Sequence, residues 1–523
     1  MIYFRTVFQD AFYPFFTKEK PVRPLPLPSF LPSSFPMQAR HSLLATGLTL
    51  TSAAACLSSV ALAASSASSD NPQSAIRNPK SPNLVLIIAD DCTKYDTQLY
   101  GGQAFTPNMM RISREGMTFS RCYQSAPICS PTRHALMTSK GPVKTGAYPN
   151  HTFAKPGITA WTSWLKAAGY RAALSGKTHV HPSNIFNFEY IPGAARANAE
   201  NGKGDPNFTL VENFLKDCVK KGRNFGLYIC SHQPHEPWNM GDRSRYPDAK
   251  LKLPPNFVDG PATRDAYARY LAEVTYYDGQ VGQMLDLLDK YKLADNTFVI
   301  VLTEQGYSFP FAKWTCYDIG VASGMVIRWP GHVKAGSASD ALVEYVDLMP
   351  TFCEAAGIKT PGDLDGRSFL ALLEGKTNKH KDYTFSIETS RGIFAGPEYY
   401  GIRSVRDIRY RYILNLTPQA TFKNTNMQKP FWKEWVRKAA AGDKQAIAMT
   451  RLYQHRPAEE LYDVENDPWC MTNLIADPSL KPKITELKQQ LAAWMKDQGD
   501  NGQATELLAK ERLWKNADGS DGE

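Results

Sequence analysis

Five short, largely apolar strand-like segments constrain this chain more than any other feature: the continuous run NLVLIIA (83–89), then YRAALS (170–175), FGLYIC (225–230), TFVIVL (297–302) and MVIRW (325–329). A half-solvated strand alternates polar and apolar residues, so unbroken runs mark strands covered on both faces. Helix-patterned stretches lie between them. Trp161 to Ala168 reads as a helix stopped by Gly169, and Leu271, Val274, Val281, Leu285 and Leu288 recur at helical spacing. Strands alternating with helices predict an α/β fold: a large, mostly parallel sheet sandwiched by helices.

Past about residue 385 the pattern changes. Ile402–Arg406 and Tyr410–Leu416 flank Asp407, Ile408 and Arg409 like an antiparallel hairpin, and Ile484, Leu487, Leu491 and Trp494 mark a closing amphipathic helix. The expected division is a main α/β domain over 82–385, a smaller C-terminal α+β domain over 386–498 and a polar tail over 499–523. A chain of 523 residues accommodates both domains, at roughly 150 residues per domain.

The N-terminal 1–63 reads as an upstream segment plus a signal peptide, with Met37 as the start. Arg40 and His41 supply the charged beginning, Leu43 to Ala55 the apolar stretch and Val60-Ala61-Leu62-Ala63 a small-residue cleavage site. Cys56 offers the alternative of lipidation, and either route exports the protein to the periplasm or the exterior. Residues 64–81, rich in Ser, Asn and Pro, read as a linker. No later stretch is long and apolar enough for a transmembrane helix. The nine cysteines contain no CxxC pair and suggest no disulfide framework. The net charge of +9 suits an anionic substrate, but its lysines and arginines form no basic tract of the kind that binds nucleic acid.

Four of the runs end in polar clusters: Asp90-Asp91, Gly176-Lys177-Thr178-His179, Ser231-His232-Gln233-Pro234-His235 and Thr303-Glu304-Gln305-Gly306. Ligands of open α/β sheets bind outside the carboxyl ends of the strands, so these clusters are expected to converge on one crevice. A carboxylate pair after a strand also serves as a helix cap or turn, but four such clusters together point to chemistry. Asp90, Asp91, Glu304 and Gln305 offer hard oxygen ligands, which favour calcium or magnesium; no HxxxH or Cys/His cluster offers a zinc site. In Cys129-Ser130-Pro131-Thr132-Arg133, the proline and the helix formers after it place Cys129 at a helix N-terminus, where N–H groups favour an anion. A buried structural cysteine and a thiolate nucleophile are the other readings of that position.

At these residues the chain resembles the sulfatase family. The C-x-P-x-R segment with its short helix is similar to the family signature, PNLVLIIADD to its opening strand, TPNMMRISREGMTFSRCY to the following helix, and GYRAALSGKTHV to its lysine–histidine strand. SHQPHEPW resembles the next histidine site and ELYDVENDP a landmark of the smaller domain, so the likeness spans about 82–498. GKTHVHPSNIFNFEY is most similar to the branch containing heparan N-sulfatases. The resemblance implies an alkaline-phosphatase-like fold and hydrolysis of sulfate esters, N-sulfates included, on sulfated polysaccharides or their oligosaccharides. It implies that a maturation enzyme converts Cys129 to formylglycine, and that Asp90, Asp91, Glu304 and Gln305 bind Ca2+ beside it. Arg133 would brace the modified residue and the metal. Lys177, His179, His235 and Lys313 would surround the sulfate, with His235 assigned to leaving-group protonation and His179 to the diol proton, or the reverse. Trp238, His181 and Arg391 are candidate sugar contacts.

Three positions depart from the family pattern. Glu304-Gln305 stands where Asp-Asn is usual, Thr132 where Ser or Ala is usual, and Ser139 where Gly follows Thr138. Two rival functions share the fold: a phosphodiester or phosphonate hydrolase, and a saccharide-binding homologue that is never oxidised.

Overall fold

The computed structural model describes residues 81–194, 204–393 and 395–513. The expected signal peptide, Met37, Cys56 and residues 64–80 of the linker lie outside them. Nine strands form the larger sheet: β1 (Asn83–Ile88), β2 (Met117–Tyr123), β3 (Arg171–Gly176), β4 (Glu189–Ile191), β5 (Phe225–Cys230), β6 (Thr297–Leu302), β7 (Ala322–Arg328), β8 (Ser337–Ser339) and β9 (Val343–Glu344). Their order is β4-β3-β5-β1-β6-β7-β2-β8, with β9 also on β2, and β7 alone runs antiparallel to its neighbours. This is the sandwiched, mostly parallel sheet expected from the apolar runs.

Why the runs are unbroken is visible in the packing. Val85, Ile87, Leu227, Ile229, Val299 and Val301 face one core, whose outer layer is the long Pro261–Lys290 helix. Leu84, Leu86, Ile88, Tyr228, Phe298, Ile300 and Leu302 face a second core with Trp161 and Phe352. Alternate residues of one strand thus enter opposite cores, and neither face can be polar.

Register then places the chemistry. Strands β3, β5, β1 and β6 are adjacent, with Gly176 opposite Cys230, and Ile88 opposite both Cys230 and Leu302. The four strands therefore end level, and the four polar clusters emerge side by side.

The smaller sheet is antiparallel, in the order β10 (Thr384–Thr389), β11 (Gly401–Arg406), β12 (Tyr410–Asn415) and β13 (Glu459–Asp463). Leu487 and Leu491 of the Lys481–Gln498 helix pack on Val405, Tyr412 and Leu461. Between β12 and β13 the chain inserts two helices, Pro430–Ala440 and Lys444–Gln454, whose Phe431, Trp435 and Tyr453 join the first core.

Residues 500 to 513 correct the expectation of a polar tail from Gly499. Asp500 and Glu506 are fully or almost fully buried, a short helix spans Gln503–Leu507, and Leu513 bridges to Thr152. The segment is polar because its side chains find buried partners: Asp500 pairs with Arg403, and Glu506 accepts from Thr389.

Asp96, on the segment that follows β1, gives a stability prediction. Burial raises its carboxyl to about 7, although Tyr267 donates to it at 2.5 Å. The folded state holds this proton between about pH 4 and pH 7 while the unfolded chain has lost it. Stability from this group is therefore complete below pH 4 and falls as pH rises to 7, by about 4 kcal/mol. Asp96→Asn is expected to raise the melting temperature at pH 8 and leave it unchanged at pH 4; an equal shift at both would remove the carboxyl as the cause.

Candidate functional site

At the end of β1, Asp90 and Asp91 are completely buried, and Glu304 joins them from the end of β6 with ligand atoms mutually within 4.8 Å. Each carboxylate has its own buried cation. Lys177 pairs with Asp90, Lys313 with Asp91 at 2.6 Å, and Arg133 with Glu304 at 2.6 Å. Arg133 also lies 3.7 Å from Asp90 and donates to the Ala89 carbonyl at 3.1 Å. One-to-one pairing is what makes so much buried charge tolerable, since an unpaired ion in the interior costs several kcal/mol.

Burial works against ionisation of Asp90 and Asp91, yet nearby cations outweigh it. Lys177, His235 and Arg133 hold Asp90 well below the usual range, and Lys313 and His235 hold Asp91 down. For Glu304 burial prevails, aided by the charge of Asp90, and its carboxyl is raised in spite of Arg133. The backbone is strained where it delivers these groups: Asp91, His179 and Glu304 have φ of 61°, 51° and 71°. Non-glycine residues held in this region collect at functional sites.

Metal fit can be judged from the oxygens. Asp90 Oδ1 and Gln305 Oε1 are buried without a hydrogen-bond partner, while Gln305 Nε2 donates to Asp91 Oδ1 at 2.5 Å. Orphaned carbonyl and carboxylate oxygens beside three carboxylates are the donor set of a hard divalent cation. The Glu304-Gln305 pair begins on a left-handed turn at Glu304, whose N–H donates to the Tyr345 hydroxyl at 3.1 Å.

Cys129 is the first residue of the Cys129–Thr138 helix, and the N-cap Ile128 supplies no side-chain cap. The helix N–H groups there remain open to an anion. Burial raises the thiol to about 11 against the pull of Lys177 and Lys313, so it is protonated near neutral pH and a thiolate nucleophile is disfavoured. Thr132 fills its place without strain, donating to Gln124 Oε1 at 3.0 Å.

Ser139 fits its position less well. It ends the helix at φ 56°, and its buried hydroxyl has no partner. Ser139→Gly is expected to stabilise the protein by about 1 kcal/mol, by relieving both costs at the expense of some backbone entropy. Chemical unfolding checks this, and an unchanged midpoint would refute it.

His235 donates from Nδ1 to the Glu236 carbonyl at 2.7 Å, which leaves Nε2 directed at Asp91, 3.6 Å away. Its loop is braced by Asp205, which accepts from the His232 N–H at 3.0 Å and from Gln233 Nε2 at 2.9 Å. His179 lies under the influence of Lys177, Arg133 and Asp90, and burial lowers its basicity first. All nine site residues named from the sequence besides Cys129 thus belong to this network. Of the candidate sugar contacts, Trp238 is stacked on Phe309 at 4.8 Å and packs as core, His181 is tied through its backbone to His134, and Arg391 pairs with Glu398 at 2.8 Å. Ser308, which donates to Asp91 Oδ2 at 2.7 Å, and His151, 3.4 Å from His179, carried no motif signal.

A level row of strand ends bearing paired carboxylates and cations, with a cysteine on an open helix N-terminus, defines a hydrolase built for an oxyanion substrate. Residues 82–358 match the sulfatase family model, and residues 304–421 match that of the N-sulphoglucosamine sulphohydrolase C-terminal region. The chain is 32% identical to an ulvan-active sulfatase of Formosa agariphila over 80% of its own length and 81% of that protein. It is 27% identical to human N-sulphoglucosamine sulphohydrolase, over 79% and 89% of the two chains. A protein solved with its substrate D-glucosamine-2-N,6-O-disulfate superposes with a TM-score of 0.62 at 20% identity, over 81% of this chain and 99% of that one. A phosphonate monoester hydrolase from Silicibacter pomeroyi superposes at 0.60 and 18%, over 82% and 96%. The chain belongs to the sulfatase family, and it is a sulfuric ester hydrolase of alkaline-phosphatase-like fold.

Proposed function

We propose that this protein is an exported, calcium-dependent sulfatase that removes sulfate from saccharides through a formylglycine made at Cys129. The observation that carries this reading is the set of three buried carboxylate–cation pairs beside Cys129 at the level ends of four strands. Export would follow from the segment beginning at Met37, or from lipidation at Cys56. The catalytic unit would be residues 82–385, with 386–498 as the smaller domain. The names of the ulvan-active and N-sulphoglucosamine relatives support a sulfated saccharide as substrate.

Asp90, Asp91, Glu304 and Gln305 would hold the calcium. Bound there, the ion supplies fixed positive charge for the sulfuryl oxygens, and hydrated formylglycine supplies a hydroxyl nucleophile and a second hydroxyl that releases sulfate. The remaining work falls to the chain's own groups. Arg133 holds Glu304 and Asp90 in place from behind. Lys177 and Lys313 present ammonium groups to the sulfate, and their charge acts strongly because the site is dry and fixed in advance. His235, its Nδ1 committed to a carbonyl, offers Nε2 to protonate the leaving oxygen, while His179 handles the proton of the nucleophile.

This assignment has a distinct signature. His235→Ala is expected to slow release from sugar sulfates by roughly 10²–10⁴-fold. Aryl sulfates with acidic phenols need no proton on the leaving oxygen and should lose much less. Equal losses on both would transfer the role to His179.

The test of the whole reading is a peptide mass spectrum around Cys129, on protein made beside a formylglycine-generating enzyme, with sulfate release measured before and after chelation. An aldehyde in place of the thiol, and release abolished by chelation and restored by calcium, are expected. A permanently unmodified cysteine would favour the binding homologue. Faster release of phosphate than sulfate from matched aryl esters would favour the phosphonate hydrolase.

A further inference from the structure

The chain between β12 and β13, residues 416–458, holds eight lysines and arginines against two acids, Glu434 and Asp443. That is a net charge of +6, where the whole chain of 523 residues carries +9. Along the sequence these cations stand apart, and only Arg437 and Lys438 are adjacent. Folding gathers them, because the segment forms a hairpin of the Pro430–Ala440 and Lys444–Gln454 helices. Trp432, near the start of one, packs on Tyr453, near the end of the other, with ring centroids 5.5 Å apart.

Both acids are withdrawn from the surface charge. Glu434 is buried, and its carboxylate accepts from the Ala262 and Thr263 N–H groups at 3.1 and 3.2 Å, at the start of the Pro261–Lys290 helix. Asp443 caps the second hairpin helix by accepting from the Ala446 N–H at 2.9 Å. Lys433, Lys444 and Arg451 are exposed and form no ion pair among the described residues. Arg437 has a side chain 78% exposed and comes only within 3.9 Å of Glu434. Asp259, whose carbonyl accepts from Lys438, has its carboxylate on Arg264. Like charges left without counter-ions work against a helix, so packing gives this face no purpose; a polyanion supplies the missing charge.

The helical hairpin starts at the rim of the catalytic crevice. Lys429, the N-cap of its first helix, pairs with Glu236, whose carbonyl accepts from His235 Nδ1. Lys433 and Arg437 follow four and eight residues later on the same helical face, so the cationic row leads about 12 Å away from the crevice.

We propose that this face is an exosite for the polyanionic chain of the substrate. A sulfated polysaccharide with its scissile sulfate in the crevice continues over Lys433, Arg437, Lys444 and Arg451. The inference rests on the proposed saccharide sulfatase reading and adds to it a preference for long chains over short fragments. Each exposed cation contributes about twofold in affinity, so the four give about tenfold or more, and salt screens the effect.

The experiment measures dissociation constants by calorimetry on full-length protein with Cys129 left unconverted. Its probes are a disaccharide and a dodecasaccharide, cut from ulvan and, separately, from heparan sulfate. In at least one series the dodecasaccharide is expected to bind about tenfold tighter or more at about 50 mM salt, and to lose that advantage at about 0.5 M. The combined variant K433Q/R437Q/K444Q/R451Q should lose most of the advantage, with disaccharide affinity and melting temperature unchanged. K433R/K444R, which preserves the charge, should keep it. An advantage that survives neutralisation, or is absent from the parent, overturns the exosite. A DNA duplex of equal charge binding tighter than the dodecasaccharide would also overturn it, by giving the face to nucleic acid. Failure of formylglycine-bearing protein to release sulfate from either series would instead overturn the sulfatase reading, while the binding ratios would still report on the hairpin.

Discussion

Cys129→Ala is expected to lower sulfate release at least about 10⁴-fold while the protein stays folded. The residue starts a helix whose N-cap carries no side-chain acceptor, and its thiol is raised to about 11 by burial. In that state the thiol is a poor nucleophile; on the proposed mechanism activity would depend on its conversion to the formylglycine diol, and alanine cannot be converted. Losing a covalent nucleophile leaves only positioning and electrostatic stabilisation, and removals of this kind cost several orders of magnitude. The fold should barely respond, because alanine is small and favours the helix. Sulfate release and thermal unfolding of the same preparation separate the two effects. Retention of more than about a hundredth of the activity would mean that Cys129 is not the nucleophile.

Arg133→Met should instead damage the fold and the site together. The guanidinium is wholly buried, lies 2.6 Å from Glu304 and 3.7 Å from Asp90, and anchors to the Ala89 carbonyl. Its removal leaves buried carboxylates without their counter-charge, which costs about 3–5 kcal/mol. Glu304, already raised by burial, would take up a proton in response, so the loss should shrink at acid pH. Denaturant unfolding at pH 5 and pH 8 reads this directly. Adding Glu304→Gln should recover part of the loss, since the orphaned charge is then gone; strict additivity of the two changes would deny their coupling.

Local chemistry made much of this legible in advance. An apolar run buried on both faces cannot hide its nature, so the strands at 83–88, 225–230 and 297–302 were readable to within a residue or so. The signature around Cys129 was legible for a similar reason, because proline and helix formers fix a helix start by themselves. The inserted helices at 430–454 gave less: their apolar faces make sense only against Phe257 and Phe309 of a distant core. The polar segment after Gly499 misled outright, since its burial depends on Arg403, a partner 97 residues away.

Sequence alone determined which residue types stand at the strand ends and what chemistry they can perform, because those follow from side-chain composition and short-range order. Tertiary structure decided the rest. Strand order and register set four clusters level on one edge, long-range pairing assigned each carboxylate its own cation, and the wrapping of residues 500–513 onto the 146–155 loop placed His151 beside His179. Such choices depend on contacts between segments far apart in the chain, and no local pattern encodes them.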